Sequence, residues 1–243
     1  MENRLDHFDE FVEILSTYKV SDEGKEMLKR AKLACLVGPT SAGRNTLING
    51  LLKTGEYHQI ISDTTRNIRV NDGKLEQNGV EYWFKTEEDV LSDLKAGLFL
   101  EAALIHNQQV SGTSLRELKK ATNQDKVAIN EIQIDGMRNI IGLKPDAKAF
   151  FVVPPGFRVW MERLEKRGIL SEDEKQKRLS SALKEFEAAL NCDYYTFVVN
   201  DNLEVAMDQI HKHAIEGEVD PENDRLGREV TQHLLRKTKE RLR

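Results

Sequence analysis

Gly38, Pro39, Thr40, Ser41, Ala42, Gly43, Arg44, Asn45 and Thr46 form the stretch GPTSAGRNT, whose residue types suit the holding of a phosphate. Its glycines let successive backbone N–H groups converge on an anion, and a helix starting directly behind them adds the partial positive charge of its N-terminus. Arg44 stands where such loops carry a lysine for the β and γ phosphates of a nucleoside triphosphate, and Thr46 offers a hydroxyl where Mg²⁺ is held. Taken alone, the stretch fits a phosphate loop or a plain glycine turn before a helix.

Other residues carry chemistry by type and spacing. Arg66 and Arg69 follow a polar stretch and can present two guanidinium forks to one dianionic phosphate; surface solvation is their other reading. Glu101 sits in the apolar run LFLEAALI, where a carboxylate is costly to bury unless something donates to it. Arg163, Arg167 and Arg178 are spread over charged helical segments, where pairing with Glu165 or Glu172 is the bland alternative to phosphate binding.

The elements that must position these groups follow from periodicity. KLACLVG is an apolar run closed by glycine and RNTLINGLLKTG is helical with Gly55 as its stop, giving strand, glycine loop and helix in order. QIIS and VEYWF, separated by NDG and QNG turns, predict a small β-rich lobe. TEEDVLSDLKAG and TSLRELKKA read as helices, with KVAIN and AKAFFVV as short strands around the helical IQIDGMRNIIG. A helix is expected over 157–166, a second running through Leu190, then a strand at YYTFVVND and a helix at LEVAMDQIHKHA. Such alternation argues for a parallel sheet. Ahead of it, Leu5, Phe8, Phe11, Val12 and Leu15 share a helical stripe, and Ser21 caps a short charged helix. Behind it, Pro221 opens a helix with Leu226, Val230, Leu234 and Leu235 on one stripe.

The chain has 243 residues, 39% hydrophobic and 32% charged, enough for one substantial α/β core with a small lobe or helical ends. No apolar run approaches a membrane span and no signal peptide is evident, so the expectation is a cytoplasmic protein. The net charge of -5 gives no long-range basic field for nucleic acid, so an anionic ligand must meet local positive charge. Cys35 and Cys192 lack metal-ligand spacing and read as reduced structural residues. Trp83, Trp160, Phe150 and Phe151 read as core, and His211 and His213 do not face together as a metal pair would require.

Taken in order, GPTSAGRNT, SDTTRNIR, EQNGVEYWF, LFLEAALI, SGTS, VVPP, RLEKRG, KRLSSA and VVND resemble the motif series of guanylate kinases, over about Lys32 to Ala214. The resemblance implies a P-loop NTPase-type α/β fold: a parallel sheet with helices on both faces, a small β-rich GMP-binding lobe over 62–113 and a helical lid over 163–178. The family-like domain would span 32–215, with helical extensions at 1–31 and 216–243. It also implies ATP and GMP (or dGMP) as substrates with Mg²⁺, ATP lying on residues 38–46 beside Asn200 and Asp201. Arg66 and Arg69 would clamp the GMP phosphate with Ser62 and Tyr82, and Glu76 also belongs to the GMP-binding set. Guanine presents N1–H and N2–H₂ donors beside an O6 acceptor, so Glu101 and Thr113 would read that edge, with Glu131 nearby. Arg44, Arg163, Arg167 and Arg178 would stabilise the transferring phosphoryl group.

The sequence departs from the family pattern at Arg44 and Asn45 in the loop, at Ser111 in place of a tyrosine, and at Gln133 and Asp135 in place of an aspartate and a glutamine. The segment VNDGKL before Glu76 is also longer than usual. These departures support an alternative, a catalytically weak or inactive module that binds nucleotide or a phosphorylated protein partner. Retention of the lid arginines supports a kinase, with turnover slowed because arginine is bulkier and less point-like than lysine.

Overall fold

The computed structural model describes residues 5–71, 73–105, 107–168 and 171–243. In chain order the elements begin with α1 (Phe8–Thr17), α2 (Asp22–Arg30), β1 (Lys32–Val37), α3 (Arg44–Leu52), β2 (Tyr57–Gln59), β3 (Asp63–Thr64), β4 (Val70–Asn71), β5 (Lys74–Leu75) and β6 (Trp83–Phe84). Then come α4 (Glu87–Lys95), β7 (Phe99–Ile105), β8 (Gln109–Ser114), α5 (Leu115–Asn123), β9 (Val127–Glu131), α6 (Ile134–Leu143) and β10 (Lys148–Val153). The chain closes with α7 (Phe157–Lys166), α8 (Glu172–Leu190), β11 (Tyr195–Val199), α9 (Leu203–His211), a π-helical turn (Lys212–Glu216) and α10 (Pro221–Arg241). Of the expected strand QIIS only Gln59 falls in a strand, at the end of β2, and VEYWF contributes only Trp83 and Phe84 to a strand.

Two compact units share the chain. One comprises Met1–Ala31, His58–Ala128 and Gly142–Pro145; the other Lys32–Tyr57, Ile129–Ile141 and Asp146–Arg243. The chain carries a five-stranded sheet ordered β11-β10-β1-β9-β2, in which β10 runs parallel to both β1 and β11. Leu36, Val37, Phe150, Phe151, Phe197 and Val198 are buried along those strands, the near-continuous apolar runs of a sheet covered on both faces. Among the described residues no helix is long and apolar enough to cross a membrane.

In the second unit α10 packs on β11 and α8. Its buried face is Gly227, Thr231, Leu234 and Thr238, whereas Leu226, expected on the apolar stripe, is 47% exposed. The reason is close approach: a Cβ at Gly227 would lie 2.6 Å from the Phe197 Cβ, so small residues face the edge strand. Asp224 Oδ1 accepts the Phe197 N–H at 2.7 Å and Arg228 donates to the Tyr195 carbonyl at 3.0 Å, satisfying backbone groups of that edge.

The first unit carries a four-stranded sheet, β6-β3-β8-β7, and the hairpin β4-β5. Here α1 packs on β7 and α4, and Leu5, Phe11, Val90, Leu91, Leu94, Phe99 and Val110 form one apolar cluster. Val12, read into the α1 stripe, is 46% exposed; the buried arc is narrower than the sequence pattern. Ser21 caps α2 as expected, accepting the Gly24 N–H at 3.2 Å.

Candidate active site

The loop between β1 and α3 is fixed from below by its neighbours. Gly38 has φ 147°, and a Cβ there would run into the Val152 carbonyl oxygen. Gly43, the N-cap of α3, has φ 95° and a Cβ there would run into Asn200 Nδ2. Both positions therefore need glycine. Trp160 Nε1 donates to the Thr40 carbonyl and Asn200 Nδ2 to the Ala42 carbonyl, each at 2.8 Å. Arg163 in turn donates to the Asn200 carbonyl at 2.9 Å. Ser41 sits in the left-handed region at φ 66°, and its hydroxyl is buried with no hydrogen-bond partner among the described residues. A phosphate oxygen would satisfy that hydroxyl, which is the kind of local misfit that functional loops retain.

Arg44 lies half-buried at the start of α3, with its guanidinium 2.9 Å from Glu131 Oε1. Burial pulls its pKa down, Glu131 and Glu185 push it back up, and Arg167 lowers it again. Glu185 feels the reciprocal field: burial raises its pKa, offset by the Ser181 hydroxyl and by Arg44. A cavity of about 500 Å³ opens here, lined by Ser41, Gly43, Arg44, Asn45, Thr46, Glu131, Arg163, Arg167, Asn200, Asp201 and Leu203. Pro39 and Ala42 are buried, and Asn45 and Thr46 are exposed. Glu131, expected in the GMP-binding set, pairs with Arg44 of the phosphate loop. Arg178, the remaining arginine of the expected lid, pairs with Glu174 at 2.8 Å one helical turn back, and Ile169 and Leu170 within that expected segment lie outside the described residues.

Among the described residues no group of three or more His, Cys, Asp or Glu is arranged to hold a metal by itself. Thr46 and Glu131 on the cavity wall fit an ion that takes most of its ligands from phosphate oxygens and water, as Mg²⁺ does.

The other expected site builds up within the first unit. Arg66 is held bidentately by Glu76, with N···O distances of 2.6 and 2.8 Å, and lies 4.7 Å from the Tyr82 ring centroid. Glu76 also accepts the Arg69 N–H at 3.0 Å, across the base of the β4-β5 pair. The Arg66 guanidinium holds the Glu76 carboxyl below its usual range. Arg69 is exposed, and Ser62 precedes both arginines on the same segment, its carbonyl accepting the Trp83 N–H at 2.9 Å. Ser111, where the family has tyrosine, shares a 2.8 Å hydrogen bond with Thr64. Thr113 donates to Glu101 Oε1 at 2.8 Å, and burial raises the Glu101 pKa. Beneath them Asp63 is buried, accepts from Arg116 at 2.7 Å and has its pKa pushed up to about 6 by burial, against the pull of Arg116 and Lys85.

Sequence reasoning read Trp160 only as core, and passed over Glu185. The signal for Trp160 was its indole N–H, a donor that seeks a partner when buried. For Glu185 it was its position seven residues after Arg178, on the same helical face of α8.

A parallel sheet whose strand β1 runs through a strained glycine loop into a helix, with arginines around the cavity, defines a phosphate-loop nucleotide-binding protein. Within that class the chain belongs to the guanylate kinase family, whose model matches residues 30–217. Guanylate kinase of Hahella chejuensis is 33% identical over 184 residues, 75% of this chain and 85% of that protein. The Corynebacterium diphtheriae guanylate kinase is 34% identical over 181 residues, covering 74% and 92%. The crystal structure of guanylate kinase from Anaplasma phagocytophilum shares the fold at a TM-score of 0.55 and 21% identity, over 85% of this chain and 94% of that one.

Proposed function

We propose that this chain is an ATP:GMP phosphotransferase, making GDP and ADP by direct in-line transfer. The observation that carries the substrate assignment is the Glu101–Thr113 pair, a half-buried carboxylate with a hydroxyl at 2.8 Å. Guanine N1–H and N2–H₂ would donate to Glu101 while the Thr113 hydroxyl turns its proton from Glu101 to O6; adenine offers no N1–H, so a carboxylate there disfavours AMP.

The GMP phosphate would be taken by Arg69, Arg66, Ser62 and Tyr82, with Glu76 holding Arg66 in place. ATP would lie on residues 38–46, its phosphate oxygens on the backbone N–H groups and the Ser41 hydroxyl. Thr46 and Glu131 would hold Mg²⁺, which when bound supplies neutralising charge to the triphosphate. Arg44 leaves Glu131 to bridge the β and γ oxygens, and Arg163, Arg167 and Arg178 stabilise the transferring group. No side chain needs to act as a strong base, because the attacking phosphate oxygen is already ionised. A cytoplasmic location fits this chemistry.

The binding-module alternative draws on the Arg44–Glu131 ion pair, which occupies a guanidinium that phosphoryl transfer needs. Coupled ADP-release assays with Mg·ATP and GMP, dGMP, AMP, CMP or UMP separate the readings. Turnover with GMP and dGMP, and little with the rest, is expected; no turnover with any acceptor at high enzyme concentration overturns the kinase.

A further inference from the structure

The family match begins at residue 30, so Tyr18 lies outside it. Its hydroxyl nevertheless makes two hydrogen bonds to one residue of the lobe, donating to the Phe99 carbonyl at 2.7 Å and accepting the Phe99 N–H at 2.8 Å. Strand β7 is the edge of its sheet, so Tyr18 supplies the partners that a further strand would give. The hydroxyl is kept protonated, its pKa pushed up to about 12 by burial.

Phe99 is also where the β7 register shifts. It pairs with Ser114, but the next matched pair is Glu101 with Thr113, leaving Leu100 as an extra residue on one strand. Without that bulge the ladder would set Leu100 opposite Thr113 and Glu101 opposite Gly112. A bulge re-aims the side chains beyond it, and here it brings Glu101 beside Thr113. The segment carrying Tyr18 is itself tied down: Ser21 N–H donates to the Gly97 carbonyl at 3.0 Å, and a Cβ on Gly97 would meet that nitrogen at 2.7 Å. Glu87 accepts the His7 N–H at 2.9 Å, and Lys95 pairs with Glu10.

We propose that Tyr18 is a positioning residue for guanine recognition: by pinning Phe99 it holds the β7 bulge in the register that sets Glu101 beside Thr113. This rests on the assignment of Glu101 to the guanine edge. It makes the N-terminal helices part of base selection, although they supply no group to the base.

The test compares GMP with IMP, which lacks the N2 amino group, in wild type, Tyr18→Phe and Val90→Ala. Val90 is buried in the same apolar cluster but makes no bond to Phe99, so its truncation reports general destabilisation. In Tyr18→Phe the GMP-over-IMP preference in kcat/KM falls about five- to ten-fold, through a higher KM for GMP, on the scale of lost neutral hydrogen bonds. The kcat at saturating GMP and the KM for ATP stay within roughly two-fold, and Val90→Ala lowers Tm with the preference intact. An unchanged preference in Tyr18→Phe, or an equal fall in Val90→Ala, overturns the proposal. If the wild type binds GMP without turning it over, the kinase reading fails, and the ratio of calorimetric Kd values for GMP and IMP decides the role of Tyr18 by the same criteria. If wild type binds neither, both proposals fall.

Discussion

In the proposed reading, the phosphate loop and the lobe carrying Arg66 and Glu101 would recognise their ligands by different means. The loop is made of backbone, locked by Gly38 against β10, by Trp160 and by Asn200. The lobe is made of side chains, each oriented by another: Arg66 by Glu76 and Tyr82, Glu101 by Thr113. Backbone recognition tolerates change at a side chain, and on the proposed reading the loop would therefore still take phosphate with Arg44 and Asn45 in place of the usual lysine and glycine. It does not tolerate a Cβ in the wrong place. Side-chain recognition has the opposite weakness, with each lost partner weakening the site by a graded amount.

The sharpest way to break this contrast is Gly38→Ala. A Cβ forced against the Val152 carbonyl at φ 147° should abolish detectable ATP turnover and lower stability by about 2–3 kcal/mol, several degrees in Tm. Near-normal ATP affinity by calorimetry would show that the loop is not backbone-determined. Next, Glu101→Gln should lower kcat/KM for GMP by roughly 10- to 10²-fold, as expected for removing a charged hydrogen-bond acceptor, and leave the KM for ATP unchanged. A comparable loss in both substrates would erase the distinction between the regions. Smaller again, Arg44→Lys should raise kcat a few-fold by restoring a compact charge; no gain would mean that arginine is not what limits the loop.

The smallest effect is on pH. Asp63 has a folded pKa of about 6, above the roughly 3.9 of an unfolded aspartate, so the native state binds the proton more tightly. Its contribution therefore weakens the fold as pH rises from about 4 through 6. Glu76, with a lowered pKa, has the opposite sign: its stabilisation is present above the unfolded value and is lost as pH falls through the depressed folded one. Urea denaturation at pH 5 and 7 should show a smaller difference in Asp63→Asn than in wild type if the buried carboxyl carries that slope, and the same difference if it does not.

Much of the parallel-sheet side was legible in sequence, since strand, glycine loop and helix are contiguous and each has its own period. The helix Phe157–Lys166 and the end of α8 at Leu190 fall where expected. Tertiary context hid the rest. The buried face of α10 is built on Gly227 and Thr231 because it approaches a strand edge closely, and a leucine stripe gives no sign of that. A bulge at Leu100 leaves no mark in LFLEAALI, and neither does the reach of Tyr18 to Phe99 across 81 positions. Glu131 could be placed on a strand end from KVAIN, but its pairing with Arg44 depends on how two strands lie in the sheet.

Whether the two regions serve one reaction is tested most directly by single turnover with γ-labelled ATP, Mg²⁺ and GMP. The label is expected to move into GDP in step with ADP formation. Label released only as inorganic phosphate, or retained in ATP while both nucleotides are bound, would contradict it.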